Sequence, residues 1–589
     1  MCGINGILRL SASAPPVDGD ELLRTRDAMT TRGPDGSGAW IADDGRVGLA
    51  SRRLAILDLS EAGAQPMASA DGRFRLVMNG EIYNFLELRR QLEAEGVSFR
   101  SRGDTEVVLA LYAREGAAML SRLRGMFGLA IWDGREKTLL LARDPLGIKP
   151  LYVAAAGGDL RFASQVKALE RGGAISRETD PAGVAGFLLW GSVPEPFTIR
   201  KAVRALPAGH FLLVRDGRMD EPVPFEVSQI EPMEPAAAVE DSVRAHLVSD
   251  VPVAVFLSAG LDSSLIAALA RRHLPEPPTT FTIRFDALEG TPQDEAPLAA
   301  EVARRLGTRH VERRLGRADC ADLWQGALAA MDQPSLDGFN TWVVSRAAHE
   351  AGLKVVLSGL GGDEVFGSYP SFTDVPRLEQ MARRIGRVPG LPRAWPLLAK
   401  LLAPGRPKLR GLPRYGRSLA GAYFLRRGLF LPEELPGLMG REAASEGLRI
   451  YDPVADAARA LAAGNGRANG RVTDAWTAVH LLESARYMRN QLLRDSDWAS
   501  MAWSVELRVP LVDAWLYRRL AANGFEPARS AGKAELVRRA APELPAEVLS
   551  RPKTGFYIPV AEWMRPELAA KRPGERSRWL ALRVLEAFQ

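Results

Sequence analysis

The run Val253-Ala254-Val255-Phe256-Leu257-Ser258-Ala259-Gly260-Leu261-Asp262-Ser263-Ser264 decides the fold of the larger part of this chain. Val253 to Leu257 are apolar and mostly β-branched or aromatic, as in a strand covered on both faces of a parallel sheet. The run ends in Ser-Ala-Gly, small enough for backbone amides to approach a ligand. Leu265 to Ala270 then reads as a helix. Free N–H groups and a positive helix end converge in such a turn, which makes it an anion site. No Lys follows the glycine, so this is not the Gly-Lys-Ser/Thr phosphate loop. Taken alone, the pattern also fits an ordinary βα turn.

Outward from this run, Thr279 to Ile283 reads as a neighbouring strand, and Gln293-Asp294-Glu295 leads into a helix from Pro297 to Leu306. A further strand, Leu353 to Leu357, runs into Ser358-Gly359-Leu360-Gly361-Gly362-Asp363-Glu364-Val365-Phe366-Gly367. The first loop resembles the Ser-Gly-Gly-x-Asp-Ser pyrophosphate loop of the ATP-pyrophosphatase (adenylating) enzymes, with Ala259 in place of the first Gly. Loops that follow parallel strands open at the same end of a doubly wound sheet. Asp262 and Asp363 are therefore expected on one side of it. Two carboxylates beside ATP phosphates need a cation, and Mg²⁺, a hard ion that bridges carboxylate and phosphate, fits.

The chain has 589 residues, enough for two or three domains, with 46% apolar and 25% charged residues. No apolar run is long enough to span a bilayer, and no secretion signal opens the sequence. Two cysteines, Cys2 and Cys320, can build neither a disulfide framework nor a tetrahedral zinc cluster. A cytoplasmic, reduced protein is expected. The net charge of +6 is uneven: from Arg377 to Arg427 thirteen Arg or Lys face a single acid, Glu379. With no aromatic-rich reading motif, this segment is read as helices with solvated basic faces, as is the basic tail after Arg565. No nucleic-acid or membrane partner is expected.

At the other end the chain begins Met1-Cys2-Gly3-Ile4-Asn5-Gly6-Ile7. Removal of Met1 would expose an α-amine, with an ordinary pKa of roughly 8, beside the Cys2 thiol. That amine can do the work of His in a Cys–His pair. All six histidines lie beyond residue 209, so a nucleophilic cysteine here has no histidine nearby in sequence. Downstream come Arg32-Gly33-Pro34-Asp35-Gly36, Arg53-Leu54-Ala55-Ile56, Asn79-Gly80-Glu81-Ile82-Tyr83-Asn84 and Gly103-Asp104-Thr105-Glu106, between apolar strands at Val47–Ala50, Phe74–Met78, Phe127–Trp132 and Thr138–Ala142. Many strands with Gly and Pro turns predict a layered, largely antiparallel β core.

With these motifs the first two hundred residues resemble the class II glutamine amidotransferase domain, an N-terminal-nucleophile fold. The resemblance implies that Cys2 attacks the glutamine side-chain amide, forms a glutamyl thioester and releases ammonia. It implies an oxyanion hole of the Asn79 side chain and the Gly80 N–H. Arg53 would meet the glutamine α-carboxylate, Glu81 and Asp104 its α-ammonium, and Leu54 to Leu57, Ile56 included, would line the pocket. Ser51-Arg52-Arg53 departs from the His that often precedes this arginine, and Gln165 departs from a usual Glu.

The two halves in this order resemble glutamine-dependent asparagine synthetases. That implies an α+β, αββα-layered glutaminase at 2–215, a linker at 216–238, an α/β doubly wound parallel-sheet synthetase at 239–565 and a basic tail at 566–589. In such enzymes an acceptor carboxylate attacks the α-phosphorus of ATP, and ammonia arriving by an internal tunnel displaces AMP. By resemblance Leu257 and Ile283 flank the adenine, and Ser258, Gly260, Asp262, Ser263 and Ser264 cradle the pyrophosphate. Ser358 and Gly359 contact the nucleotide, Asp262 and Asp363 hold Mg²⁺, Glu364 is the base for ammonia, and Lys533 neutralises phosphate charge. Glu506 and Arg508 are read as structural. Glutamine, ATP and aspartate are the expected substrates, and a homodimer is left open. Met331-Asp332-Gln333-Pro334-Ser335-Leu336-Asp337-Gly338-Phe339-Asn340-Thr341-Trp342, Leu360 and Ser368 depart from the usual pattern beside the nucleotide. Another carboxylate, such as a sugar acid, a peptide or a secondary-metabolite precursor, stays open as acceptor. A non-catalytic scaffold is a further alternative, and a cyclase of the β-lactam-forming kind, a family without the N-terminal Cys, is disfavoured by Cys2.

Overall fold

The computed structural model describes residues 2–11, 14–228, 230–291, 293–316, 320–402, 405–465, 474–522, 524–525, 529, 532–551, 564–565, 567–568 and 571–588. Two antiparallel sheets lie face to face in the first half. Among the described residues the first has six strands, in the order Arg204–Ala205, Tyr152–Ala156, Asp159–Ala163, Cys2–Arg9, Val47–Arg53, Gly36–Ile41. The second sets Phe74–Ile82, Gly125–Asp133, Thr138–Arg143 and His210–Arg215 side by side. The alternation of side chains along a strand explains the layering. On Phe74–Ile82, Val77 packs with Ile4, Leu8 and Leu49 of the facing sheet. Its neighbours Leu76 and Met78 point the other way, to Leu88 and Leu92 of helix Phe85–Ala94 and to Val107 and Leu111 of helix Asp104–Glu115. Helices Gly19–Asp27 and Val166–Gly172 cover the outer face of the first sheet, so the order is αββα, as expected.

The stretch expected as a linker carries two short strands, Arg218–Met219 and Val223–Pro224, which pair with His210–Arg215. Helix Pro235–His246 then begins the second half. Its sheet is parallel throughout, in the order Arg309–Leu315, Thr279–Phe285, Val253–Phe256, Val355–Leu357, Glu506–Arg508. Helices Leu261–His273 and Ala296–Leu306 cover one face, and Gly338–Glu350 packs on the other. Val253–Phe256 and Val355–Leu357 are neighbours, so the two loops emerge side by side. The helix expected from Leu265 begins at Leu261, which brings Asp262 and Ser263 into its first turn.

The basic segment forms helices Ser371–Gly386, Leu391–Leu402 and Leu419–Arg427. The C-terminal stretch expected as a basic tail is instead a packed helix, Pro573–Glu586, with Ala581, Val584 and Leu585 buried. Its apolar residues join the cluster of Trp324, Phe339 and Trp342, while Arg576 lines a cavity beside Leu580 and Arg578 packs over Phe430. Among the described residues no helix is long and apolar enough to cross a membrane.

Candidate active site

Cys2 opens the first strand, buried and paired in register with Arg53. Its backbone N–H donates to Asn79 Oδ1 at 3.1 Å. Burial pushes the thiol pKa up, so attack requires a base. Asn79 Nδ2 is buried without a hydrogen-bond partner among the described residues. A buried donor is rarely left unpaired, and one beside a buried thiol is what an oxyanion hole would require. Gly80 follows at φ 154°, where a Cβ would lie 2.0 Å from the Met126 carbonyl oxygen. Only glycine passes there, and the strand pairing of Gly80 with Phe127 fixes the peptide.

Asp104 sits at the start of its helix and accepts the Ile82 N–H at 2.9 Å. Burial raises the pKa of Asp104 and, with Glu506 nearby, raises that of Glu81 further. Two carboxyls reluctant to ionise form a fitting receptor for an ammonium group, whose arrival would restore their charge. Leu54 and Ile56 are buried beside them, as expected. Arg53 is already engaged: its guanidinium donates to the carbonyls of Ser60 at 3.0 Å, Leu57 at 3.3 Å, and Asp58. It clasps this turn, and a glutamine α-carboxylate would share those donors.

In the second half the two loops wall a cavity of about 670 Å³, lined by Leu257, Ser258, Gly260, Asp262, Ser263, Ile283, Ser358, Gly359, Asp363 and Lys533. Lys533 Nζ reaches Asp262 Oδ2 at 2.5 Å and Asp363 Oδ1 at 2.8 Å. Burial opposes its charge, but the two carboxylates outweigh burial and hold its pKa above the ordinary value. Two residues beside Asp262 must be glycine: a Cβ on Gly362 would lie 2.2 Å from Asp262 Oδ1, and one on Gly359 2.7 Å from its Cβ. Ala259 adopts φ 54°, the left-handed region usually left to glycine. Ser264 departs from expectation, being fully buried and outside the cavity lining.

Glu364 also stands back from the cavity. Its Oε1 accepts from the Tyr369 hydroxyl at 3.0 Å, and Tyr369 lines the wall. Burial, with Asp363 adding to it, raises the Glu364 pKa to about 7. Its backbone carbonyl meets Nδ1 of His480, which burial keeps neutral with a pKa of about 4. As for Mg²⁺, a carboxylate pair that already shares one ammonium suits a single hard cation. Among the described residues no three His, Cys, Asp or Glu gather as a metal cage, so phosphate and water oxygens would complete the shell.

The profile of the glutamine amidotransferase domain matches residues 1–225, and that of asparagine synthase matches residues 235–574. A Mycobacterium tuberculosis protein provisionally named a glutamine-hydrolysing asparagine synthetase is 33% identical, over 96% of this chain and 88% of that one. The Bacillus subtilis asparagine synthetase 1 is 31% identical over the same shares. The chain belongs to the glutamine-hydrolysing asparagine synthetase family. It is an ATP-dependent carbon–nitrogen ligase that uses glutamine as its nitrogen source. A Gibberella zeae protein named amidase chry2 is also similar, at 30% identity over 63% of this chain and 60% of its own length.

The two halves of this family member are locked by buried charge. Arg32 donates to both Asp497 carboxylate oxygens at 2.7 and 3.0 Å, and its Nε holds the Cys2 carbonyl at 3.2 Å. Lys149 adds a third charge 3.6 Å from Asp497. Arg124 bridges to Asp241 and Asp513 at 2.9 and 2.6 Å. Arg508, read from the sequence as structural, lies 3.8 Å from Glu81 and 2.5 Å from Glu506. The acceptor stretch divides. Asp332 accepts the Val166 and Lys167 N–H groups of the first half and Gln333 that of Ile199, whereas Asp337 and Thr341 line the cavity walled by the two loops. Tyr369 and Asp497 were missed, the first because no spacing ties it to Glu364, the second because its partner is 465 residues away.

Proposed function

We propose that the chain couples glutamine hydrolysis at Cys2 to ATP-driven amidation of a carboxylate through an acyl-adenylate, with aspartate as the first acceptor to be tested. The glutaminase chemistry is assigned to 2–215 and the synthetase chemistry to 239–565. Loss of Met1 frees the Cys2 amine, which takes the thiol proton as the sulfur attacks the glutamine amide carbon. Asn79 Nδ2 and the Gly80 N–H receive the oxyanion, and collapse to the thioester expels ammonia. An apolar cluster that includes Leu54, Met126 and Ile148 of the first half and Leu493, Leu511 and Val365 of the second supports a protected route for neutral ammonia.

In the synthetase site an acceptor oxygen attacks the α-phosphorus and pyrophosphate leaves, its charge met by Lys533. Asp262 and Asp363 would hold Mg²⁺, which supplies charge neutralisation across the leaving phosphates. Ammonia then attacks the acyl carbon, AMP leaves, and the proton passes by way of Tyr369 to Glu364, whose pKa of about 7 suits that task. The observation that carries this reading is Lys533 between Asp262 and Asp363 at the mouth of the small-residue loop. Leu360 and the divided acceptor stretch favour the second reading, another carboxylate in place of aspartate.

The test is pyrophosphate release with Mg·ATP and glutamine, with and without aspartate, and with AMP and amide quantified. Pyrophosphate and AMP in equal amounts support the adenylation route, and release of ADP and phosphate overturns it. Aspartate-dependent asparagine settles the acceptor.

A further inference from the structure

A second cavity, of about 450 Å³, lies beyond the nucleotide cavity, and Asp337 and Tyr487 line both. The Tyr487 hydroxyl donates to Asp337 Oδ2 at 3.2 Å, so this pair stands where the two spaces meet. The far wall is apolar and aromatic, with Trp190, Trp324, Phe339 and Leu580 among its residues. Of its three arginines, Arg427 is matched to Glu483 at 2.8 Å and Arg486 to Asp456 at 2.8 Å, and Arg576 comes from the C-terminal helix. Arg427 also sits over Tyr487, its guanidinium carbon 3.9 Å from the ring centroid. The space is within the range of small-molecule sites, roughly 300–1,000 Å³.

Two features make this a built cavity. The long helix that crosses it is π-wound from Glu483 to Leu493, and this widened stretch presents Arg486, Tyr487, Asn490 and Gln491 to the cavity. π-winding is rare in proteins and is frequent at functional sites. The helix Pro573–Glu586 closes one side, almost wholly beyond the 235–574 asparagine synthase match. Trp190 from the glutaminase half closes another.

We infer that this cavity receives the body of the acceptor, and that the acceptor is a carboxylate bearing an aromatic or apolar ring. The inference rests on the proposed activation of a carboxylate in the neighbouring nucleotide site. Aspartate is small and carries two charges besides the reacting carboxylate. Those charges would find paired arginines and aromatic rings, and the apolar wall would stay wet. A ring-bearing acid seats its carboxylate at the ATP α-phosphorus, passes Asp337 and Tyr487, and buries its ring between Trp190 and Trp324.

The experiment titrates the full-length chain, loaded with Mg²⁺ and a non-hydrolysable ATP analogue, with 3-phenylpropanoate, indole-3-propanoate, N-benzoyl-aspartate and L-aspartate. Pyrophosphate release with ATP is measured on the same acids. Leu580→Trp fills the cavity from the C-terminal helix and Ala327→Phe from the other wall, with melting curves showing which variant folds. The expected result is binding of at least one aryl acid more than about tenfold tighter than aspartate, lost in each folded variant. Aryl binding that neither filling substitution weakens, or no aryl binding at millimolar concentration, overturns the inference even where aspartate is turned over. Aryl binding as expected with ADP as the product keeps the cavity assignment and removes the adenylation reading instead.

Discussion

The glutaminase and synthetase sites wait for their substrates in opposite ways. Around Cys2 the geometry is fixed by backbone: paired strands, a glycine that nothing else can replace at position 80, and an unpartnered amide donor on Asn79. Around the Ser258 loop the working groups hold one another, with Lys533 clasped by Asp262 and Asp363. The difference follows from the substrates. Glutamine brings little charge to the reacting amide, so catalysis depends on donors aimed beforehand at a charge that develops late. ATP brings several charges, so in the proposed reaction these residues would keep their own charge compensated until phosphate and metal replace the partner. One site is preorganised as a shape, the other as an exchange of ions.

Removing the thiol breaks the comparison most sharply. Cys2→Ala is expected to lower glutamine-dependent amidation by roughly a thousandfold or more, because the nucleophile is lost outright. Ammonium-dependent amidation should persist. A parallel loss of both activities would mean that the first site also supports the second. Lys533→Met is the reciprocal experiment. Loss of a charge that meets developing phosphate charge costs roughly 10²–10³-fold in turnover. Pyrophosphate release should fall by that factor while glutamine hydrolysis without ATP is retained.

The clasp between the halves comes next in size. Asp497→Ala leaves the buried Arg32 and Lys149 without their carboxylate, a change that costs about 3–5 kcal/mol. The melting transition should drop. Because Arg32 also holds the Cys2 carbonyl, glutamine-dependent activity should fall more than ammonium-dependent activity. Equal loss of the two would reduce the clasp to a structural tie.

How far these features were legible in the sequence follows the same division. Strands and loops fixed by local pattern were readable: Val253–Phe256, Thr279–Phe285 and Gly125–Asp133 all lie within two residues of the reading. The helix at Leu261 starts four residues early because Gly260 caps it and the loop is tighter than small residues alone suggest. The structure brings Ser258, Asp262, Asp363 and Lys533, singled out in separate motifs, to the wall of one cavity. What could not be read depends on distant contacts: Arg32 with Asp497, Tyr369 in front of Glu364, and a cavity shared by Trp190, Tyr487 and Leu580. The C-terminal helix was hidden by its arginines, which mask an apolar stripe of only a few residues.

Glu364 sharpens the comparison by pH. Its pKa is raised from the usual carboxyl range to about 7, so the basic form is present above that pH and lost as pH falls through it. Glutamine-dependent amidation should rise through about pH 7, and Glu364→Gln should flatten that rise along with the rate. By the same sign, this residue's contribution to stability is greatest below its unfolded pKa of about 4.3 and is lost as pH rises through about 7. An inflection that survives in Glu364→Gln would transfer the base role elsewhere.

The smallest effect tests how each loop tolerates its backbone. Gly80 and Ala259 both occupy positive φ, but only Gly80 has a carbonyl oxygen where a Cβ would stand. Ala259 is buried and accepts the left-handed region at a cost of roughly 1–2 kcal/mol. Ala259→Gly removes that cost and adds glycine's greater entropy loss on folding, roughly 0.5–1 kcal/mol. The net should be a gain of at most about 1.5 kcal/mol, read as a small rise in the melting temperature. The mirror substitution Gly80→Ala should destabilise, with loss of glutaminase activity, because the obstruction is backbone that cannot yield. If Ala259→Gly gains stability but weakens pyrophosphate release, the strained alanine holds the loop in its phosphate-ready shape, and the synthetase site too is partly preorganised by backbone.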